Sequence, residues 1–195
     1  MEYTKLTDEQ LADLFNSGDK AAFDTLYRRY GQVVQSFARA FYFLGGSIED
    51  LLQEGYLGLF TATRNFDKQR AKESSTSFKT FAYACIKISM MNAVKGKNDI
   101  DRIDDETMET IPEDKPSPED IFISNETLKE ITERIGEMLS DFEKQVFELY
   151  VKDYKYTEIA EKLDVPAKSV DNALQRIKDK CKQSPFLRSL FDAGN

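Results

Sequence analysis

Histidine and tryptophan are both missing from the 195 residues, and only two cysteines are present. Without histidine there is no imidazole to act as a general base or to complete an ordinary zinc site. Cys85 and Cys181 share no CxxC spacing; Cys85 lies in the apolar run from Phe81 to Met91 and Cys181 on the apolar face of its helix, so both read as small buried hydrophobes. No apolar run approaches the ~20 residues of a membrane span, and Met1 to Lys20 has no signal-peptide core, which predicts a cytoplasmic chain. A nucleophile–base pair, a phosphate loop and a metal cluster are all lacking, so no cofactor is expected and enzyme chemistry is the least supported class. Convincing apolar/polar alternation is absent too, which leaves no candidate strand.

The charge is strongly regional. Residues 1–98 hold 13 basic and 11 acidic side chains, residues 127–195 hold 12 and 13, and residues 99–126 hold only 2 against 11. The net charge of -8 therefore belongs to the middle segment. That segment, "DIDRIDDETMETIPEDKPSPEDIFISNE", also contains Pro112, Pro116 and Pro118 and shows little apolar periodicity. It reads as an acidic linker between two domains, 1–98 and 127–195.

Both flanking stretches carry helical periodicity, so the fold expected is all-α in two helical domains. Thr7 with Gln10 forms a capping box, and Gly18 marks a stop. Apolar residues from Ala22 to Leu44 recur at three- and four-residue steps up to Gly45-Gly46. Ser47 with Asp50 caps a third helix reaching about Asp67, and a fourth is expected from Phe78 to about Lys95. Beyond the linker, Ser140 with Glu143 caps "DFEKQVFELYV", Thr157 opens "TEIAEKL", and Ser169 is expected to cap a longer helix.

The last two of these helices have helix-turn-helix spacing. Val170, Ala173, Leu174, Ile177 and Cys181 make one apolar stripe, leaving Lys168, Asp171, Asn172, Gln175, Arg176 and Lys182 on other faces. Asn and Gln can pair with adenine, Arg and Lys with guanine, and flanking lysines with phosphate. Residues 168–188 hold six basic side chains against two acidic ones, within a domain that is otherwise negative. An amphipathic packing helix with a solvated face would share this pattern.

The third helix, "SIEDLLQEGYLGLFTATRNFD", is more discriminating. Gly55 and Gly58 lie inside it although each costs about 1 kcal/mol relative to alanine, which implies that a neighbouring backbone comes close. Asp50, Gln53 and Glu54 form an acidic, polar patch beside them. From Arg64 to Lys97 there follow eight basic and two acidic residues, interleaved with Phe78, Phe81 and Tyr83. Aromatics beside cations suit unstacked single-stranded bases, at about 1–3 kcal/mol per stacked base. Core packing accounts for the same rings equally well.

"EDLLQEGYLGLFTATRNFD", then "SFKTFAYACIKISMMNAVK", then "LSDFEKQVFELY" and "YTEIAEKLDVPAKSVDNALQRIKDK", in this order over nearly the whole chain, resemble the bacterial sigma-70 family of sigma factors. The likeness is greatest to the small alternative factors of the sigma-H or extracytoplasmic-function kind, which keep only the second and fourth sigma domains. It implies a factor that binds RNA polymerase core and directs promoter recognition, melting and initiation. Asp50, Gln53, Glu54, Tyr56 and Phe60 would meet the clamp coiled coil of the polymerase's largest subunit. Phe78, Phe81, Tyr83, Lys87, Asn92, Lys95 and Lys97 would hold flipped bases and backbone of the −10 element, where unstacking costs a few kcal/mol. Lys168, Ser169, Asp171, Asn172, Gln175, Arg176 and Lys182 would read the −35 element in the major groove. The linker would resemble the family's acidic connector through the polymerase's RNA path. A monomer is implied, with an anti-sigma factor as a further partner.

Ile88-Ser89 stands where related factors often carry an Arg-Gln pair, so the −10 base preference does not transfer. Two other readings fit parts of the chain. A helix-turn-helix regulator working without polymerase leaves "DLLQEG" unexplained, whereas a sigma-like adaptor or decoy acting through protein contacts suits the negative net charge.

Overall fold

The computed structural model describes residues 2–67, 76–100 and 132–185, with side chains in the second stretch as far as Gly96. These residues are helical apart from turns and connecting segments, and no strand occurs among them. A 3-10 turn, Tyr3–Lys5, leads into α1 (Asp8–Asn16), α2 (Lys20–Tyr42), α3 (Ile48–Asn65) and α4 (Phe78–Ile100). A helical segment over 132–137 then precedes α5 (Asp141–Val151), α6 (Tyr156–Leu163) and α7 (Ala167–Gln183). The expected linker and the loop of residues 68–75 lie mainly outside the described residues.

Capping chemistry sets the boundaries. The Thr7 hydroxyl accepts from Gln10 N while the Gln10 side chain accepts from Thr7 N, and Ser140 with Glu143 repeats the device. Gly18 (φ 102°), Gly45 (φ 142°) and Gly46 (φ 90°) supply the left-handed backbone that ends α1 and α2. Two expected starts are displaced. The Glu158 carboxylate takes up the Lys155 N–H at 2.7 Å, so α6 begins at Tyr156, one residue before Thr157. Pro166 occupies the cap of α7, where its missing N–H costs nothing, and Ser169 falls within the first turn. The fourth helix runs five residues past its expected end at Lys95, to Ile100.

The first four helices enclose Leu11, Leu26, Val34, Phe41, Leu51, Leu59, Phe78, Ile86 and Met90, all fully or almost fully buried. Each contributes roughly 1.5–3 kcal/mol relative to exposure. The tightest seam is between α3 and α4. A Cβ on Gly58 would stand 2.6 Å from the Cys85 carbonyl oxygen and 2.7 Å from Ile86 Cα, while one on Gly55 would meet Met90 Cε at 2.1 Å and Val34 Cγ1 at 2.9 Å. Gly58 therefore lets the α3 backbone rest against that of α4, while Gly55 leaves room for the Met90 and Val34 side chains. In the second group, Ile159 and Ala160 of α6 pack on Val170, Ala173, Leu174 and Ile177 of α7, and Asp164 turns the chain between them at φ 51°. Ala160 is small enough for the crossing, and aspartate tolerates that left-handed turn.

Gly58→Ala must push α4 away and is expected to cost about 3 kcal/mol. Gly96→Ala meets nothing within 4 Å and should stabilise α4 by up to ~1 kcal/mol. Thermal unfolding of both variants checks this, and a Gly58→Ala chain that melts with the wild type would refute the backbone contact.

Candidate functional site

On α3 the side chains at positions 53, 57 and 60 come to one face. Gln53 is exposed, Leu57 is 54% exposed and Phe60 is 38% exposed, although the last two are large and apolar. Phe60 is held edge-on by Phe15 of α1 and Phe23 of α2, at ring distances of 5.6 and 5.5 Å. Tyr56 stacks on Tyr27 of α2 at 4.0 Å, with planes 16° apart. Burial, together with a hydrogen bond to Tyr27, pushes the Tyr56 phenol up to about 12. A contiguous apolar and aromatic patch of this kind, kept rigid by neighbours, is what a protein partner buries.

Tyr27 and Leu57 escaped the sequence reading. Leu57 follows Gln53 by one helical turn, a spacing that points to it, but Tyr27 is distant in sequence and carries no such signal. Glu54 turns away from this face: its carboxylate accepts a 3.0 Å hydrogen bond from the Ser89 hydroxyl of α4. It links α3 to α4. Asp50 sits in the first turn of α3, where its backbone N–H is capped by Ser47 and its charge suits the helix N-terminus.

The aromatics of α4 are less accessible than their spacing suggested. Phe78 is fully buried between Tyr30 (5.8 Å) and Phe66 (5.2 Å), so its ring offers no face to a base in this structure. Tyr83 leans on Tyr30 and Phe37 of α2 at about 6 Å, and the Lys79 ammonium lies 5.6 Å from its ring centre. Phe81 is half-buried against Phe66. Lys87 is also buried, at 6% exposure, which removes it from the surface. Asn92 is exposed and Lys95 partly so, while the Lys97 side chain is outside the described residues. The rings turn inward because α2 and the 66–67 segment supply an aromatic wall that spacing along α4 alone does not reveal.

The helix-turn-helix residues singled out above all lie on α7. Lys168, Asp171, Asn172, Gln175, Arg176 and Lys182 are exposed on α7, with Ser169 partly so. Several are already oriented. Lys168 pairs with Asp171 at 2.7 Å, and the Gln175 amide donates to Asp179 at 3.1 Å. Arg176 donates from Nε to Glu143 of α5 at 3.0 Å, while the other Glu143 oxygen takes the Lys180 ammonium at 2.7 Å.

Glu143 is the hub of this unit and is 3% exposed. Burial pushes its carboxyl upward, but hydrogen bonds from Lys180, the Ser140 backbone, Arg176 and the Ser140 hydroxyl outweigh it and hold the group down at about 2. One carboxylate thus caps α5, braces α7 and fixes the Arg176 guanidinium by its inner nitrogen. Its outer nitrogens remain on an exposed side chain. Burial pushes the Cys85 and Cys181 thiols up to about 12, which makes both poor nucleophiles.

The sequence matches the family model for Sigma-70 region 2 over residues 26–99 and that for Sigma-70, region 4 over residues 129–181. It is 34% identical to the RNA polymerase sigma-H factor of Bacillus licheniformis, with 96% of this chain and 91% of the relative covered. It is 27% identical to the ECF RNA polymerase sigma-E factor of Escherichia coli K12, over 94% of this chain and 98% of the relative. Among solved structures, the sigma-H factor of Fusobacterium nucleatum is similar at 29% identity and a TM-score of 0.34, covering 75% of this chain and 99% of that one.

Glu143 has a lowered folded-state pKa, so the stability it contributes is complete above its unfolded value near 4.5 and is lost as pH falls toward 2. Its contribution at neutral pH is about 3 kcal/mol. Urea unfolding from pH 7 down to pH 2 should show this acid limb in the wild type and a flatter one in Glu143→Gln; equal limbs would remove Glu143 as the hub.

Proposed function

The chain belongs to the sigma-70 family and is an alternative sigma factor that directs transcription initiation, and from that premise we propose how its surfaces divide the work. The exposed face of α3 docks on RNA polymerase core, at the clamp coiled coil of the largest subunit. Gln53, Leu57 and Phe60 are its contact stripe, flanked by Tyr56 and Tyr27, and Asp50 adds charge at the helix start. Glu54 acts by tying that stripe to α4 through Ser89. The observation that carries this reading is the coexistence of a large, rigid, exposed apolar face on α3 with a backbone contact behind it at Gly58.

The exposed side of α4, with Lys79, Asn92, Lys95 and the outer edges of Phe81 and Tyr83, takes the non-template strand of the −10 element. Phe78 and Lys87 support it from within. α7 enters the major groove of the −35 element, where Asn172, Gln175 and the outer nitrogens of Arg176 meet base edges and Lys168 and Lys182 meet phosphates. Residues 1–98 and 127–195 then act as two modules joined by an acidic connector, and an anti-sigma partner would compete for the same faces.

Titration of core polymerase with labelled protein tests the docking face. Leu57→Glu is expected to weaken core binding at least ~30-fold, about 2 kcal/mol, with helicity and melting unchanged; wild-type affinity in this variant would refute it. Arg176→Ala should cost about 1–3 kcal/mol on −35 duplex and relax preference at one base pair. An equal loss on every sequence would assign Arg176 to phosphate.

A further inference from the structure

Three of the side chains that α7 offers are each held by a carboxylate. Lys168 pairs with Asp171 at 2.7 Å, the Gln175 amide donates to Asp179 at 3.1 Å, and Arg176 Nε donates to Glu143 at 3.0 Å. The first two holds lie within about one turn of α7 and in open solvent, where water and salt compete with them. The third differs in kind. It crosses from α5 to α7, and only 4% of the Glu143 side chain is exposed, against 52% of Arg176.

Glu143 is not free to follow the arginine. One of its oxygens accepts from the Ser140 N–H at 2.9 Å and from the Lys180 ammonium at 2.7 Å, and Lys180 also donates to the Met138 carbonyl oxygen at 3.2 Å. The other oxygen takes Arg176 Nε. The carboxylate is therefore fastened to the start of α5 independently of Arg176, and its charge is met by two cations of α7.

A guanidinium is planar, so gripping Nε also fixes the direction of the two terminal nitrogens. With Nε committed, Arg176 has those two nitrogens left to offer, as neighbouring donors at the tip of an exposed side chain. Among base edges in the major groove, only guanine presents two acceptors side by side, O6 and N7; adenine and cytosine carry an amino group there, and thymine a methyl.

We propose that Glu143 is a positioning residue for −35 specificity: it holds the Arg176 guanidinium in the orientation that reads one guanine, so base choice at that position is set from α5, outside α7 itself. This rests on the sigma reading above and deepens it. An arginine free to turn reaches phosphate oxygens as well, and it loses more rotamer freedom on binding. Lys180, the second cation on Glu143, serves packing through Met138 and takes no part in the reading.

Transcript yields from holoenzyme on templates with a randomised −35 element give the base preference at each position. Glu143→Gln, which keeps the shape and removes the charge, is expected to lower the preference for guanine at one position ~10-fold, leaving the other positions and the −10 element unchanged. Lys180→Met removes the other ion pair of Glu143, so it should lower the melting temperature and keep every preference of the wild type. Arg176→Lys, a cation without the planar fork, should lose the same guanine, and adding Glu143→Gln to it should change nothing further. An unchanged profile in Glu143→Gln, an even loss at all positions, or the same shift in Lys180→Met would overturn the proposal. A second measurement uses the wild-type chain alone. One arginine Nε–H resonance should be protected from exchange in the free protein and stay protected when −35 duplex is added; its absence, or its loss on binding, would overturn the proposal as well. A wild type that binds core yet gives no specific starts would instead contradict the sigma reading.

Discussion

The contact between α3 and α4 at Gly58 is the constraint from which the N-terminal half follows. With a methyl group at that position the Cys85 carbonyl would be 2.6 Å away, so the two helices could not stay where they are. Close packing there fuses the proposed polymerase face and the proposed single-strand face into one rigid body. It also decides which side chains are left outside. Leu57 and Phe60 point outward because the opposite side of α3 is taken up by the seam, and Ile86 and Met90 of α4 are sealed within it. The Glu54–Ser89 hydrogen bond lies along the same seam. A partner that grips α3 thereby positions α4 without any further hinge.

Local chemistry was legible in the sequence, and long-range partnership was not. Thr7 with Gln10 and Ser140 with Glu143 could be read as caps because each device closes within three residues. The glycine stops at Gly18 and Gly45-Gly46 and the inward stripe of α7 were legible for the same reason. Thr157 and Ser169 misled because Lys155 and Pro166 provide starts that the usual cap preferences rank low. Phe78 and Lys87 misled for a deeper reason: an aromatic beside a cation has the same spacing whether it faces a base or a wall of Tyr30 and Phe66. The sharing of Glu143 between Arg176 and Lys180 joins α5 to α7 across more than thirty residues, and no periodicity reports it.

Charge is handled differently at the two ends of the molecule. The acid that makes the chain negative lies between its helical halves, leaving α7 with a basic surface. Within the second half, Glu143 directs its charge internally, to Arg176 and Lys180, and so orders α7, the proposed recognition helix, without presenting that negative charge on its exposed face. Arg39 acts between the halves, donating to the carbonyls of Tyr150 and Tyr154 and pairing with Asp153 around the end of α5. Apolar contacts set each half, and between the halves the Phe43 ring against Phe147 and Tyr150 works together with the charged contacts of Arg39.

Run-off transcription with purified core polymerase, on templates in which the −10 and −35 elements are randomised separately, addresses the central claim most directly. A bipartite reader predicts discrete start sites whose yield depends on both elements and on the spacing between them. Starts that depend on neither, or core polymerase whose output is unchanged by the protein, would contradict the account.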